Sequence, residues 1–190
     1  MKEKTAEIIR IITIPPIEAL VMLLILYGVR REEFGTSGNL LMTLLFLTVI
    51  PIASYPIASS KKNREENRNH QRKMAFIFNF VSYLTVMLLG YCMGCSRMLQ
   101  WILNDYFLAV MILTIINKVF KIRASGHACS CTFPYLILSY YLGWVAVIIC
   151  MVFYLAEFWA SVVLKRHTVK EFLLGSVVAC LVFVGTIWMR

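Results

Sequence analysis

Apolar residues fill most of the chain in long runs, and short polar segments separate these runs. A helix needs about 20 residues to cross the hydrocarbon core of a bilayer, and runs of this length recur along the sequence. The pattern predicts membrane-spanning helices over residues 8–28, 38–59, 74–95, 98–117, 127–143, 145–164 and 172–189. Prolines at positions 15, 16, 51 and 56 are expected to kink or end the first two helices. We therefore expect an all-α protein, a polytopic transmembrane helix bundle of about six to seven spans, in which residues 1–190 form a single transmembrane domain.

The boundary between the fifth and sixth predicted spans is the least regular. Residues 131–164, "CTFPYLILSYYLGWVAVIICMVFYLAEFWASVVL", are too many for one ordinary span and few for two. Two short helices joined by a tight turn near Gly143 fit best, with the first helix starting at "SGH", residues 125–127. The alternative is one long tilted helix, which would place His127 and His167 on opposite faces of the membrane.

The composition supports a membrane location. With 60% hydrophobic and 15% charged residues, the chain is too apolar for a soluble domain of its length. Its net charge of +9 comes from cations in short loops, without a DNA- or RNA-binding motif, so anionic lipid rather than nucleic acid is the expected partner. Most Lys and Arg residues fall on the side that holds the N-terminus and residues 60–73, 118–126 and 165–171. Because positively charged loops tend to stay inside the cell, we expect these segments at the cytoplasmic face of the cell membrane.

Six cysteines lie within or at the edges of apolar runs. Free cysteine is among the most buried residue types, so packing is their expected role. "CMGC" at residues 92–95 has the spacing of metal ligands, but no second cysteine pair or nearby histidine accompanies it. The sequence therefore predicts neither a metal site nor another cofactor.

Two polar segments, "KIRASGHACS" at 121–130 and "LKRHTVKE" at 164–171, carry a histidine beside several cations. A helix that starts at residue 126 or 127 directs free backbone N–H groups and the positive end of its dipole at the interface, where they can bind phosphate. A glycine there lets an anion approach the backbone, and neighbouring lysines and arginines add positive charge. His127 can then donate a proton to a leaving oxygen near neutral pH.

The second segment supplies a histidine and a carboxylate four positions apart, His167 and Glu171. In a helix these side chains share one face. A carboxylate beside one ring nitrogen fixes the tautomer and leaves the other nitrogen free to act as a nucleophile. The two segments together predict cleavage of a phosphomonoester or diphosphate through a phosphohistidine, a chemistry that requires no metal.

The residues of these segments resemble a known family. "SGHA" at 125–128, two short spans and then "H-x-x-x-E-x-x-x-G" from His167 to Gly175 are similar to the motifs of the type 2 phosphatidic acid phosphatase superfamily, integral-membrane lipid phosphatases. The resemblance covers roughly residues 118–175 and implies a catalytic core at about 98–189. It implies a nucleophile at His167, oriented by Glu171, and a general acid at His127. It also implies phosphate binding by the remaining polar residues of the motifs, Lys118, Lys121, Arg123, Ser125, Gly126 and Arg166. The expected substrates are polyprenyl phosphates or diphosphates and phosphatidate-like lipids.

The sequence departs from the family pattern at several positions. Ala124 replaces the usual proline, Glu171 replaces an aspartate, and Ser161 occupies the position of an arginine that binds phosphate. A non-catalytic relative that binds or translocates phospholipids is therefore the alternative. A small transporter or channel would line its path with the intramembrane carboxylates Glu18, Asp105 and Glu157, but no inverted repeat supports this.

Overall fold

The structure is a computed structural model that describes residues 2–58 and 64–188. Within these residues it contains ten α-helices and no strand, which confirms the predicted all-α class. The first half of the chain forms α1 (Lys2–Ile12), α2 (Pro15–Val29), α3 (Arg31–Phe34), α4 (Ser37–Leu44) and α5 (Ile50–Ala58). The second half forms α6 (Arg64–Cys92), α7 (Arg97–Thr114), α8 (Gly126–Leu142), α9 (Trp144–Val163) and α10 (Val169–Ile187). A π-helical turn at Leu45–Val49 joins α4 to α5, and another at Ile115–Val119 extends α7.

Five helical segments of the described chain are long and apolar enough to cross a membrane: Ser37–Ser54, His70–Cys92, Arg97–Val119, Trp144–Val163 and Val169–Ile187. The bent pair of α1 and α2 makes a sixth if it is counted as one span. The predicted fifth span corresponds to α8, whose 17 residues are fewer than the roughly 20 that cross a bilayer unaided. The protein is therefore a polytopic helix bundle with five or six full spans by length.

The first predicted span, residues 8–28, is two helices rather than one. Helix α1 ends at Ile12, and α2 starts at Pro15 at an angle of 50°. Pro15 and Pro16 lack backbone N–H groups and so cannot continue the hydrogen bonds of α1, but proline fits the first turn of a new helix. The break gives α1 its own direction, and α1 packs against α9.

The predicted turn near Gly143 is present. Helix α8 ends at Leu142, α9 begins at Trp144, and Gly143 between them has a φ of +75°. Glycine adopts positive φ readily because it has no Cβ. The two helices pack against each other, so the alternative of one long helix is excluded.

Helix α8 lies at the centre of the second half, in contact with α2, α7, α9 and α10. Its start lies very close to α10, because a Cβ built on Gly175 would be only 2.2 Å from the carbonyl oxygen of Ser125. Only glycine therefore permits this approach. Near its other end, α10 is joined to α7, because Asp105 Oδ1 accepts a hydrogen bond of 2.5 Å from Thr186. These contacts tie α10 to the start of α8 and to the middle of α7.

Candidate functional site

The structure brings His127 and His167 together. His127 is the second residue of α8, and His167 lies two residues before the start of α10. Their ring centroids are 6.3 Å apart and the ring planes differ by 17°. The hairpin of α8 and α9 thus places both imidazoles at the same end of the bundle, close enough for a shared anion.

The start of α8 is held by Ser125. Its Oγ accepts a hydrogen bond of 3.1 Å from the N–H of Ala128, and its own N–H donates to the carbonyl of Glu171 over 2.9 Å. Ser125 is only 2% exposed, and its hydroxyl caps α8. The position that a Cβ would occupy on Gly126 is open space, which leaves the first turn of α8 approachable.

His167 and Glu171 are neighbours, but not through the helical spacing that the sequence suggested. His167 precedes the helix, and Thr168 is the N-cap of α10. Thr168 and Glu171 form a reciprocal capping box with two hydrogen bonds of 3.2 Å, which returns the carboxylate towards the preceding residue. Glu171 Oε2 is 3.6 Å from His167 Nδ1, an electrostatic contact longer than a hydrogen bond.

His127 has a carboxylate of its own, Glu157 on α9. His127 Nε2 is 3.2 Å from Glu157 Oε1, and the two side chains are 10% and 1% exposed. Within the described residues neither atom has a hydrogen-bond partner, so the contact is close without hydrogen-bond geometry. The apolar pattern of the sequence predicts that Glu157 lies within a membrane span, but it does not show which residue Glu157 contacts.

The predicted phosphate-binding cations divide into two groups. Arg123 Nε is 3.7 Å from Glu171 Oε1 and 72% exposed, and Arg166 interacts electrostatically with His127. Lys118 lies 6.0 Å from the ring centre of Phe76, and Lys121 is exposed in a backbone conformation of φ +55°. In the part of the chain that the structure describes, neither lysine contacts an imidazole. The lysines are therefore not at the centre of the site.

Two arginines that the motifs do not include lie near the histidines. Arg10 of α1 interacts electrostatically with both imidazoles and with Glu157. Arg72 of α6 interacts with His167, and its guanidinium donates a hydrogen bond of 3.0 Å to the carbonyl of Arg166. Both belong to basic segments that the sequence predicts at the cytoplasmic face. Nothing in the local sequence links α1 or α6 to the histidines.

Burial is the main reason why the pKa of His167 falls from 6.5 to about 4. The neighbouring His127, Arg72 and Arg10 lower that pKa further, and Glu171 opposes them. The His167 imidazole is therefore neutral at neutral pH. A neutral imidazole has the lone pair that a nucleophile needs.

Ser161, at the position where the resemblance implies arginine, lies one helical turn after Glu157 and is fully buried. Its carbonyl accepts a hydrogen bond of 3.1 Å from the N–H of Arg166. Its Oγ has no hydrogen-bond partner among the described residues. The backbone contact ties the end of α9 to the segment that carries His167.

No protein-family model, no curated protein and no solved structure matches this chain.

Proposed function

We propose that this protein is an integral-membrane lipid phosphatase, a divergent member of the type 2 phosphatidic acid phosphatase superfamily. It hydrolyses a phosphomonoester or diphosphate of an amphipathic lipid through a phosphohistidine. The observation that carries the proposal is the 6.3 Å separation of the His127 and His167 rings, which come from segments far apart in the chain. Two groups that each contact one phosphate at roughly 3 Å lie about 6 Å apart.

The histidines have different roles in this reaction. Nε2 of His167 attacks the phosphorus atom, and the bond from phosphorus to the lipid oxygen breaks. His127 donates a proton to that leaving oxygen. Since Nε2 of His127 lies against Glu157, Nδ1 is the nitrogen that faces the substrate. His127 then takes a proton from water, which attacks the phosphorus, releases inorganic phosphate and restores His167.

Arginines stabilise the charge on the phosphoryl oxygens. Arg10, Arg72 and Arg166 each interact electrostatically with at least one of the imidazoles, and a guanidinium can bind two phosphate oxygens at once. Arg10 takes the part of the arginine that Ser161 replaces, because it interacts with His127, His167 and Glu157 together. The positive charge thus comes from α1 instead of α9.

The substrate reaches the site from the bilayer. The phosphate binds at the end of the bundle where α8 and α10 begin, and the lipid chain lies among the apolar helices. The basic segments near this end favour a location at the cytoplasmic face of the cell membrane. Polyprenyl phosphates or diphosphates and phosphatidate-like lipids have the required phosphate head and long chain.

The test is release of inorganic phosphate by the purified protein in detergent micelles. We expect turnover of phosphatidate or of a polyprenyl phosphate or diphosphate, and an acid-labile phosphoenzyme. The His167→Ala variant should lose activity by roughly 10⁴-fold or more and form no phosphoenzyme. His70→Ala, which removes the histidine outside the site, is the matched control. Full activity of His167→Ala would reject the proposed nucleophile.

Ser161 favours a second candidate function, phospholipid binding or translocation without hydrolysis. A buried serine with an unpartnered hydroxyl stands where the family has a phosphate-binding arginine. This candidate predicts that the wild-type chain binds lipid phosphates without turnover and that Ser161→Arg gains activity. Hydrolysis by the wild type excludes it.

A further inference from the structure

His127 also belongs to a second cluster of polar side chains. The cluster consists of His127 and Cys131 on α8 and Glu157 on α9, with Glu18 of α2 and Tyr135 of α8 beside them. A ring nitrogen of His127, Cys131 Sγ and a Glu157 carboxylate oxygen all lie within 4.8 Å of one another. His127 and Cys131 are one helical turn apart, so they present their side chains on the same face of α8.

Several polar atoms of this cluster have no hydrogen-bond partner among the described residues. His127 Nε2, both oxygens of Glu157 and Oε2 of Glu18 are buried and have no hydrogen-bond partner in residues 2–58 and 64–188. The other oxygen of Glu18 accepts a hydrogen bond from the hydroxyl of Tyr135. A buried carboxylate or imidazole nitrogen without a partner is destabilising, because it has lost its hydration without gaining a hydrogen bond. Such a cluster calls for a ligand that accepts electron pairs from all its members.

The distances match those between ligands of one metal ion. Zinc binds imidazole nitrogen and carboxylate oxygen at about 2.0–2.2 Å, so two such ligands in a tetrahedral site are roughly 3.3–3.6 Å apart. His127 Nε2 and Glu157 Oε1 are 3.2 Å apart, without the alignment of a hydrogen bond. The longer zinc–sulfur bond, about 2.3 Å, places a thiolate slightly farther from the other two ligands. All three separations in the cluster are within 4.8 Å, which is compatible with these values.

We propose that His127, Cys131 and Glu157 bind a Zn²⁺ ion. A set of imidazole, thiolate and carboxylate suits Zn²⁺, whereas Mg²⁺ and Ca²⁺ prefer oxygen ligands alone. The Cys131 thiol loses its proton on binding. The thiolate and the Glu157 carboxylate then balance the two positive charges, so the site as a whole is neutral in an apolar surrounding. Glu18 interacts with both Glu157 and Cys131, and its Oε2 has no hydrogen-bond partner among the described residues.

The site shares His127 with the proposed phosphatase but does not depend on it. A zinc ion bound to Nε2 fixes the tautomer of the His127 ring, because the proton then lies on Nδ1. The Nδ1–H group stays free to face the phosphate. Arg10 also interacts with Glu157 and is the competing positive charge. If Arg10 were the sole counter-charge of Glu157, the cluster would bind no metal.

The test uses Co²⁺ as a spectroscopic substitute for Zn²⁺. The full-length chain, purified in detergent with a reductant and freed of metal by a chelator, is titrated with Co²⁺. We expect a thiolate-to-cobalt charge-transfer absorption that saturates at one equivalent and is displaced by Zn²⁺. Cys131→Ser should abolish this absorption, and Cys129→Ser, which alters another fully buried cysteine of α8, should retain it.

A second variant covers the case in which Cys131→Ser does not fold. Glu157→Gln keeps the shape of the side chain and should weaken Co²⁺ binding by about tenfold or more, because a ligand with negative charge is lost. Size-exclusion profiles and thermal unfolding report whether each variant folds. Absence of a charge-transfer band in the wild type would overturn the proposal, and so would its persistence in folded Cys131→Ser. Since phosphate release is not measured, failure of this test leaves the phosphatase proposal unaffected.

Discussion

The two histidine–carboxylate pairs of the site differ in what holds the carboxylate. Glu171, beside His167, accepts a hydrogen bond in the capping box of α10 and forms an ion pair with Arg123. Glu157, beside His127, is 1% exposed and has no hydrogen-bond partner in the described part of the chain. One carboxylate is satisfied by backbone and solvent at a helix start, and the other is enclosed by helices.

This difference separates two ways of using a carboxylate beside a histidine. A capped carboxylate keeps its charge at little cost and can orient a neutral imidazole. A buried carboxylate needs a proton, a cation or a metal ion close by. Both the arginine of α1 and the proposed zinc site would meet that need at Glu157. Under the proposed function, the outer pair, His167 and Glu171, orients the nucleophile, and the inner pair, His127 and Glu157, binds positive charge.

The largest expected effect concerns the inner histidine. His127→Ala removes the proton donor, so kcat/KM for a lipid phosphate should fall by roughly 10²–10⁴-fold. An aryl phosphate with an acidic leaving group needs no proton, so its kcat/KM should fall much less. Steady-state kinetics on the two substrates measure the difference. Equal losses on both substrates would contradict the role of proton donor.

A smaller loss of activity is expected when Arg10, which interacts with both imidazoles, is replaced. Arg10→Ala should lower kcat by about 10²-fold, because one donor to the transition-state charge disappears. Arg10→Lys should recover part of the rate, since charge returns without the bidentate geometry. Lys4→Ala, in the same helix, is the control. Unchanged kinetics of Arg10→Ala would remove α1 from the site.

Glu171 contributes a charge beside His167 and a hydrogen bond in the capping box, and two substitutions separate these contributions. Glu171→Gln preserves the capping box but removes the charge, whereas Glu171→Ala removes both. We expect the glutamine variant to lose activity without loss of stability. The alanine variant should also lose about 1 kcal/mol of unfolding free energy, measured by thermal unfolding in detergent. Equal stability of the two variants would show that the cap contributes nothing.

The smallest expected effect is a shift in pH dependence. Because the pKa of His167 is about 4, the nucleophile stays neutral and kcat/KM should hold as pH falls well below 6.5, before His167 takes up a proton. Arg72→Ala removes a positive charge that lowers this pKa, so the acid limb should move to higher pH. Arg72 is exposed and screened, so the shift should be less than about one pH unit. A move to lower pH would contradict the assignment.

Local chemistry made much of the outer site predictable. The glycine at 143, the "SGH" segment at 125–127 and the spacing from His167 to Glu171 are short-range signals, and they predict a turn, a helix start and a paired histidine. The capping box has no such signal in that reasoning, and it, rather than helical spacing, brings Glu171 to His167. Its neighbour Glu171 was nevertheless identified, because the box returns the carboxylate to the same place.

The inner site depends on packing between distant helices. The contact of α1 with α9 brings in Arg10, and the contact of α2 with α8 brings in Glu18. Helices α2, α8 and α9 are apolar on most faces, so periodicity does not distinguish the lipid-facing side from the side that faces a neighbour. Nothing in the sequence distinguishes Cys131 from the other cysteines of the apolar runs. Its polar neighbours are identified only once the packing of α8 against α9 is known.

The close approach of Gly175 to Ser125 joins the two motif segments through main-chain atoms, and the hydrogen bond from Ser125 to Glu171 does the same. The spacing of the imidazoles is thus a property of the scaffold, independent of the chemical groups displayed on it. Under the proposed function, such a framework can take a phosphate-binding guanidinium from a different helix, or lose and regain turnover, without rebuilding its architecture. Replacing Gly175 with alanine, by contrast, would spread the framework apart while leaving every reactive group in the sequence.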